Sequence, residues 1–141
     1  MLVRELMTRE VVTCEADETV GTAAERMLAE GIGSVLITRD GNPVAVLTET
    51  DVLRAGVATG DPLDAIPIPR VASHPLVTTR GDATVRAAVR TMLDNDVKKL
   101  PVVDGTELAG ILTRSDVVAH YSDFIKEAHQ LDAMADEWEP K

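Results

Sequence analysis

The sequence Ile111-Leu112-Thr113-Arg114-Ser115-Asp116 runs from an apolar, strand-like segment into a polar cluster that opens a helix. The same pattern occurs earlier as Val46-Leu47-Thr48-Glu49-Thr50-Asp51, so the two aspartates lie 65 positions apart. The chain is therefore a tandem repeat. Each copy places hydroxyls and a carboxylate where a strand meets a helix. Backbone N–H groups at such a junction suit an anion, and the carboxylate suits a sugar diol.

The repeat divides the chain into four parts. We expect a first repeat over residues 1–60, a linker over 61–70, a second repeat over 71–120 and a C-terminal helical tail over 121–141. Each copy is expected to follow the order strand–helix–strand–strand–helix, which makes the fold class α/β (α+β). Two copies packed together would bury the apolar helix faces that one copy leaves exposed.

Apolar spacing and turn residues place the individual elements. The predicted strands cover 11–14, 32–37 and 44–48, then 75–78, 97–103 and 108–112, and a short helix covers 3–7. Asp17 or Thr19 is expected to cap a helix that Gly31 ends, and Thr50 a helix that begins near Asp51. In the linker, Pro67 and Pro69 flank Ile68 and forbid a continuous helix. Ile66 and Ile68 predict that the linker packs on the body. The tail carries an apolar stripe at helical spacing that needs a partner in its own chain or in another subunit.

The composition and net charge exclude some classes of function. The chain is 45% hydrophobic but only 2% aromatic, with a formal net charge of −10. A surface this acidic repels phosphodiester backbones, so general nucleic-acid binding is not expected. Four lysines stand against ten arginines, a balance found either in proteins from high-salt cytoplasms or in an ordinary acidic protein.

Cysteine and histidine usage gives no metal or redox pattern. Cys14 is the one cysteine, which excludes an intramolecular disulfide, and His74, His120 and His129 are scattered. No apolar stretch approaches the roughly 18 residues of a membrane span, and the N-terminus lacks a signal-peptide layout. We expect a cytoplasmic protein with no membrane contact.

Two stretches carry a family resemblance. They are the string Val97-Lys98-Lys99-Leu100-Pro101-Val102-Val103-Asp104-Gly105 and the ending Gly110-Ile111-Leu112-Thr113-Arg114-Ser115-Asp116. With the repeated element order, they closely resemble the cystathionine-β-synthase (CBS) domain family over residues 1–120. The resemblance implies a disk-like module with pseudo-two-fold symmetry and two clefts between the copies. Many members bind AMP, ADP, ATP or S-adenosylmethionine there, and they regulate other proteins rather than catalyse reactions.

The resemblance assigns residues to a main cleft, which the second copy closes. Asp116 falls on the ribose-binding position, Thr113 and Ser115 on hydroxyl positions near ribose or phosphate, and Lys98 and Lys99 on the basic pair near the phosphates. The adenine side would come from the first copy. Its residues are Met7, Val12, Ile32 and Gly33.

A second cleft would use the equivalent residues of the first copy. Asp51, Thr48 and Thr50 would face Ala72, Val77 and Val97, with Lys98 as a further candidate on that wall. Here Gly33-Ser34 replaces the basic pair, and Ala45 replaces Gly110. The second cleft therefore holds either a less charged ligand, such as adenosine or S-adenosylmethionine, or none.

Each assignment has a purely structural alternative. Asp116 and Asp51 could serve only as helix caps, and Lys98-Lys99 could be a surface pair that offsets nearby acids. Three functional classes follow: a regulatory sensor of an adenine nucleotide or adenosyl compound, a structural dimerisation module with vestigial clefts, and an enzyme. The enzyme is disfavoured because no catalytic constellation or nucleotide-binding glycine motif appears, and no cofactor is required. The resemblance also implies a homodimer and an effector protein in trans.

Overall fold

The computed structural model describes residues 1–72 and 76–121, and it contains two copies of one arrangement. The first copy holds β1 (Thr13–Glu15), α2 (Val20–Glu30), β2 (Ser34–Arg39), β3 (Asn42–Thr48) and α3 (Glu49–Thr59), preceded by the one-turn helix α1 (Val3–Leu6). The second holds β4 (Thr79–Arg80), α4 (Val85–Asn95), β5 (Lys99–Asp104) and β6 (Glu107–Thr113), followed by helical residues 114–121, here called α5. The predicted fold class and repeat order are confirmed.

Each copy forms its own three-stranded sheet, in the orders β1-β2-β3 and β4-β5-β6. In both sheets the first pair is parallel and the second antiparallel. The antiparallel pairs even share an irregularity at equivalent positions, after Ile37 in one copy and after Val102 in the other. The two repeats therefore share their register as well as their topology.

Helix caps follow local chemistry, with one correction. Of the two predicted caps of α2, Thr19 is the one used, since its hydroxyl accepts from the Thr22 N–H. Gly31 ends α2 at a φ of 65°, as predicted, whereas Asp96 takes the same left-handed conformation after α4. The prediction that Thr50 caps α3 is wrong, because Thr48 holds that position.

The first strand of each copy lies later than predicted. β1 begins at Thr13 and β4 at Thr79, where parallel pairing with the next strand starts. Residues 11–12 and 76–78 precede this pairing and are not in strands. Of the predicted strand 75–78, position 75 lies outside the described residues, as do 122–141 of the predicted C-terminal helix.

The two repeats exchange the segments that precede them. Val3 of α1 is fully buried in the core of the second repeat, whereas Ile68 of the linker is fully buried in the core of the first. Equivalent backbone bonds hold the two segments, since the Met1 carbonyl accepts from Val85 N–H and the Ile66 carbonyl from Val20 N–H. The linker therefore packs on the body, as predicted, and each repeat is completed by a segment from outside it.

Within the two described ranges, the helices are too short and too polar for any of them to cross a membrane.

Candidate functional site

Both strand-to-helix junctions are closed by reciprocal capping bonds. Asp51 accepts from the Thr48 N–H at 2.9 Å, and the Thr48 hydroxyl accepts from the Asp51 N–H at 3.2 Å. The Thr113–Asp116 pair repeats this arrangement, with both distances 3.0 Å. In each pair the side-chain acceptor of the aspartate is Oδ2. In the described parts of the chain, Oδ1 accepts no hydrogen bond, so each aspartate can cap its helix and still accept from a ligand hydroxyl.

The N-terminal segment lies directly against the second junction. Thr8 pairs with Ile111 of β6 through two backbone hydrogen bonds of 2.9 Å, which form an isolated antiparallel bridge beside that strand. Its hydroxyl donates to Asp116 Oδ2 at 3.4 Å. Met7 packs on the second core and lies beside Gly110. Sequence reasoning placed Met7 near Asp116 but missed Thr8.

A cavity of about 470 Å³ lies between the two repeats and is here called the central cavity. Its lining residues are Gly33, Ser34, Val46, Thr48, Glu49 and Thr50 from the first repeat, and Asp96, Val97, Lys98 and Lys99 from the second. The N-terminus of α3 therefore faces the two lysines. Backbone N–H groups, hydroxyls and ammonium groups can together bind an anion.

The central cavity brings together residues that the sequence assigned to different clefts. Lys98, Lys99 and Gly33 were assigned to the main cleft, with Lys98 also a candidate for the second, and they line this cavity with four residues of the second cleft. Those four residues are Thr48, Thr50, Ser34 and Val97. The basic pair thus lies next to both assigned groups.

The remaining predicted residues lie outside the lining of the central cavity. Thr113, Ser115 and Asp116 form the second junction, and Val12 and Ile32 pack on the first core. Ala72 is buried in that same core, whereas Val77 packs on the second.

Asp51 lines a separate groove of about 340 Å³ between α3 and the linker. Arg54 and Arg70 line the same groove, together with Val71. Sequence reasoning missed both arginines. Arg54 could have been found from its position one turn after Asp51, on the same side of the helix.

The charge balance of the central cavity is mixed. Burial lowers the pKa of Lys99, and the carboxylates of Asp116 and Glu49 oppose that shift. Glu49 and Asp96, which sequence reasoning did not assign, add two carboxylates to the lining. Because Lys99 is half-buried between these groups, an incoming anion would meet a partly desolvated cation.

The described residues contain no group of three or more His, Cys, Asp or Glu side chains that could hold a metal ion. Of the three histidines, only His120 lies among them. Cys14 is buried in the first core, and burial raises the pKa of its thiol. Arg26 donates to its sulfur at 3.1 Å.

Comparison with known proteins agrees with the two-copy architecture. The CBS domain family model matches residues 3–58 and 68–123, so its two copies begin at the equivalent buried residues Val3 and Ile68. An uncharacterised protein of Methanopyrus kandleri is 34% identical over 82% of this chain and 60% of its own length. An uncharacterised protein of Methanocaldococcus jannaschii is 33% identical over 89% of this chain and 33% of its own length. The chain thus spans a third to three fifths of these relatives.

Solved structures share the same fold. The CBS domain pair of protein MJ0100, in complex with 5′-methylthioadenosine and S-adenosyl-L-methionine, superposes with a TM-score of 0.78. The match covers 87% of this chain and 97% of that one, at 20% identity, a level that shows the fold alone. The two matched copies account for most of the sequence and coincide with the two observed repeats. The chain therefore belongs to the CBS domain family, as a tandem pair.

Proposed function

We propose that this CBS pair is a regulatory module that binds an adenine nucleotide or an adenosyl compound between its repeats. The observation that carries the proposal is the central cavity, where Lys98 and Lys99 of one repeat face the N-terminus of α3 in the other. The complex of protein MJ0100 supports it, since a CBS domain pair of the same fold binds 5′-methylthioadenosine and S-adenosyl-L-methionine.

In the main cleft, Asp116 would accept from the ribose hydroxyls through Oδ1 while Oδ2 stays on the helix cap. Charge-assisted bonds of this kind contribute about 1.5–3 kcal/mol each. Thr113 and Ser115 would add hydroxyl contacts, and Lys98 and Lys99 would bind phosphate. The adenine would lie against residues of the N-terminal segment and the first repeat, namely Met7, Val12, Ile32 and Gly33.

The second cleft would use the first junction. Asp51 would take the ribose there, with Thr48 and Thr50 beside it and Ser34 in place of a lysine. The opposite wall would be Ala72, Val77 and Val97. We propose that this cleft prefers the less charged ligands, because its equivalent of the basic pair is Gly33-Ser34.

Regulation would follow from the way the repeats are built. A ligand on Asp116 lies beside Thr8, and Thr8 belongs to the segment whose Val3 completes the second core. Binding would therefore bias the packing of this segment, and with it the surface shown to an effector protein. The coupling cannot exceed the difference in ligand affinity between the two packings.

The test is thermal unfolding of the full chain with AMP, ADP, ATP, S-adenosylmethionine and adenosine. A ligand at about 100 times its dissociation constant should add about 2.7 kcal/mol to the free energy of unfolding. We expect a shift with at least one ligand and its loss in Asp116→Asn. Asp104→Asn is the control, because it removes the same charge from an exposed position outside both clefts. No shift with any of the five ligands would contradict the proposal.

A structural role in dimerisation is the second candidate, favoured by a set of exposed apolar side chains on the helices. Leu28 and Leu93 are 84% and 76% exposed at equivalent positions, and Leu53 and Val118 are 71% and 57% exposed at another equivalent pair. A surface that repeats in this way suits a partner with the same symmetry, hence a homodimer. Light scattering should detect a dimer that Leu53→Asp with Val118→Asp converts to a monomer. A monomeric wild-type chain would contradict the homodimer.

A further inference from the structure

The two repeats differ in charge where they both meet the central cavity. Gly33-Ser34 of the first repeat and Lys98-Lys99 of the second are equivalent in sequence, and all four residues line the same cavity. The cavity therefore lies where the two repeats bring equivalent positions together. All the cationic side chains in its lining come from the second repeat.

The lysine pair lies between the two strand-to-helix junctions. Its Lys99 interacts electrostatically with Asp116 of the second junction and with Glu49 of the first. The Lys98 carbonyl accepts from the Arg114 N–H at the start of α5, 2.8 Å away, while the Lys98 side chain lines the cavity beside Thr48 and Thr50. An anion on this pair would thus lie beside Thr48 and Thr50 of the first junction and close to Asp116 of the second.

Carboxylates line the cavity and also stand at the two junctions beside it. Glu49 and Asp96 line it, and Asp51 and Asp116 stand at the two junctions. A second phosphate bound there at the same time would face these carboxylates and the first phosphate, and it would have to divide the two lysines with the first phosphate. Like charges at such distances in a partly desolvated site oppose each other strongly.

We propose that the two clefts share one phosphate site, the Lys98-Lys99 pair, so that a phosphate-bearing nucleotide binds once per chain. Binding at one ribose aspartate then excludes a second nucleotide at the other. This inference rests on the proposed function, which it extends from the type of ligand to its stoichiometry and to competition between the clefts.

The test is isothermal titration of AMP into the full chain and into Gly33→Lys. Position 33 can accept the change, because a Cβ there meets only the Glu49 side chain, at an ordinary contact distance of 3.6 Å. The new lysine would give the first repeat a cation at the position equivalent to Lys98. We expect one AMP per wild-type chain and two per Gly33→Lys chain. Val57→Lys, which adds the same charge at an exposed position outside the central cavity, should stay at one.

The possible outcomes separate the two proposals. Two AMP molecules per wild-type chain would overturn the shared site while leaving the proposed function intact. One AMP per chain in both wild type and folded Gly33→Lys, with folding checked by circular dichroism, would also overturn it, because the missing cation would not be what limits occupancy. No AMP binding in any variant would contradict the proposed function for AMP, and the shared phosphate site would be overturned together with it.

Discussion

The Thr8 hydroxyl donates a hydrogen bond to the Asp116 carboxylate, 108 positions later in the chain, at 3.4 Å. This contact joins the N-terminal segment to the junction that closes the second repeat. Since Thr8 also pairs with Ile111 of β6, the segment behaves structurally as part of the second repeat. The proposed ligand site and the exchanged segment are therefore neighbours, which gives ligand binding a physical route to the packing between repeats.

Because the segments are exchanged, a mutation in the linker should destabilise the first repeat, and a mutation in the N-terminal segment should destabilise the second. Ile68→Ala should lower the free energy of unfolding by about 2–5 kcal/mol and speed amide exchange in the first repeat. Val3→Ala should lower it by about 1.5–3 kcal/mol and speed amide exchange in the second repeat. Hydrogen exchange of the β2 and β5 amides would distinguish the two effects. Val57→Ala is the control, since Val57 is 87% exposed and its loss should change stability by less than about 0.5 kcal/mol. The same exchange pattern in both core variants would show that the segments are not swapped.

Gly110 is predicted to be required for the docking of the N-terminal segment. A Cβ at this position would lie 2.7 Å from the Thr8 carbonyl oxygen and 2.9 Å from the Met7 sulfur, so backbone would have to move. Gly110→Ala should cost about 1–3 kcal/mol. The equivalent residue of the first repeat is already Ala45, and Ala45→Gly should cost about 0.5–1 kcal/mol. Chemical denaturation of both variants measures the difference. Wild-type stability in Gly110→Ala would mean that the segment does not lie this close to β6.

Cys14 is predicted to be unreactive in the native state. Its side chain is buried, and burial raises the pKa of the thiol, so little thiolate is present at neutral pH. Labelling by a thiol reagent should be far slower in buffer than in denaturant, and it should speed up as the pH rises. Equal rates in buffer and denaturant would contradict the burial of Cys14.

The Glu18–Arg26 pair is predicted to add stability that is lost in acid. Arg26 donates two hydrogen bonds of 2.8 Å to the carboxylate, which lowers the pKa of Glu18 below its ordinary value. Protonation therefore favours the unfolded chain, and the contribution is present above about pH 4.5 and lost as the pH falls through the lowered pKa. Because the pair is partly open to solvent, its contribution should stay under about 1 kcal/mol. Glu18→Gln should flatten the stability profile between about pH 5 and pH 3. An unchanged profile would show that the pair contributes nothing.

Local chemistry explains which parts of the fold could be predicted. Thr19 precedes an apolar helix face and Gly31 follows it, so both ends of α2 could be predicted from the sequence. The Thr48 cap of α3 could also have been predicted, because Thr48 and Asp51 stand three positions apart, the spacing of a capping box. Thr50 was the wrong choice because it lies only one position before Asp51.

The relation between the repeats could not be predicted in the same way. The pattern of α1 predicts a helix, but nothing within four residues specifies which core receives Val3. Likewise, Lys98 and Thr48 share a cavity only because of how the two repeats pack. Asp96 joins that cavity through a left-handed backbone, with a φ of 51°, which non-glycine residues adopt rarely.

The most direct measurement is equilibrium binding of AMP to the full chain, to Asp116→Asn and to Asp104→Asn. Asp104 is an exposed carboxylate at the end of β5, so its change controls for charge alone. Loss of charge-assisted ribose bonds worth about 1.5–3 kcal/mol should weaken binding by about 10-fold to 150-fold in Asp116→Asn. Asp104→Asn should bind like wild type. Equal affinity in all three proteins, or no saturable binding in any, would contradict nucleotide binding at the Asp116 junction.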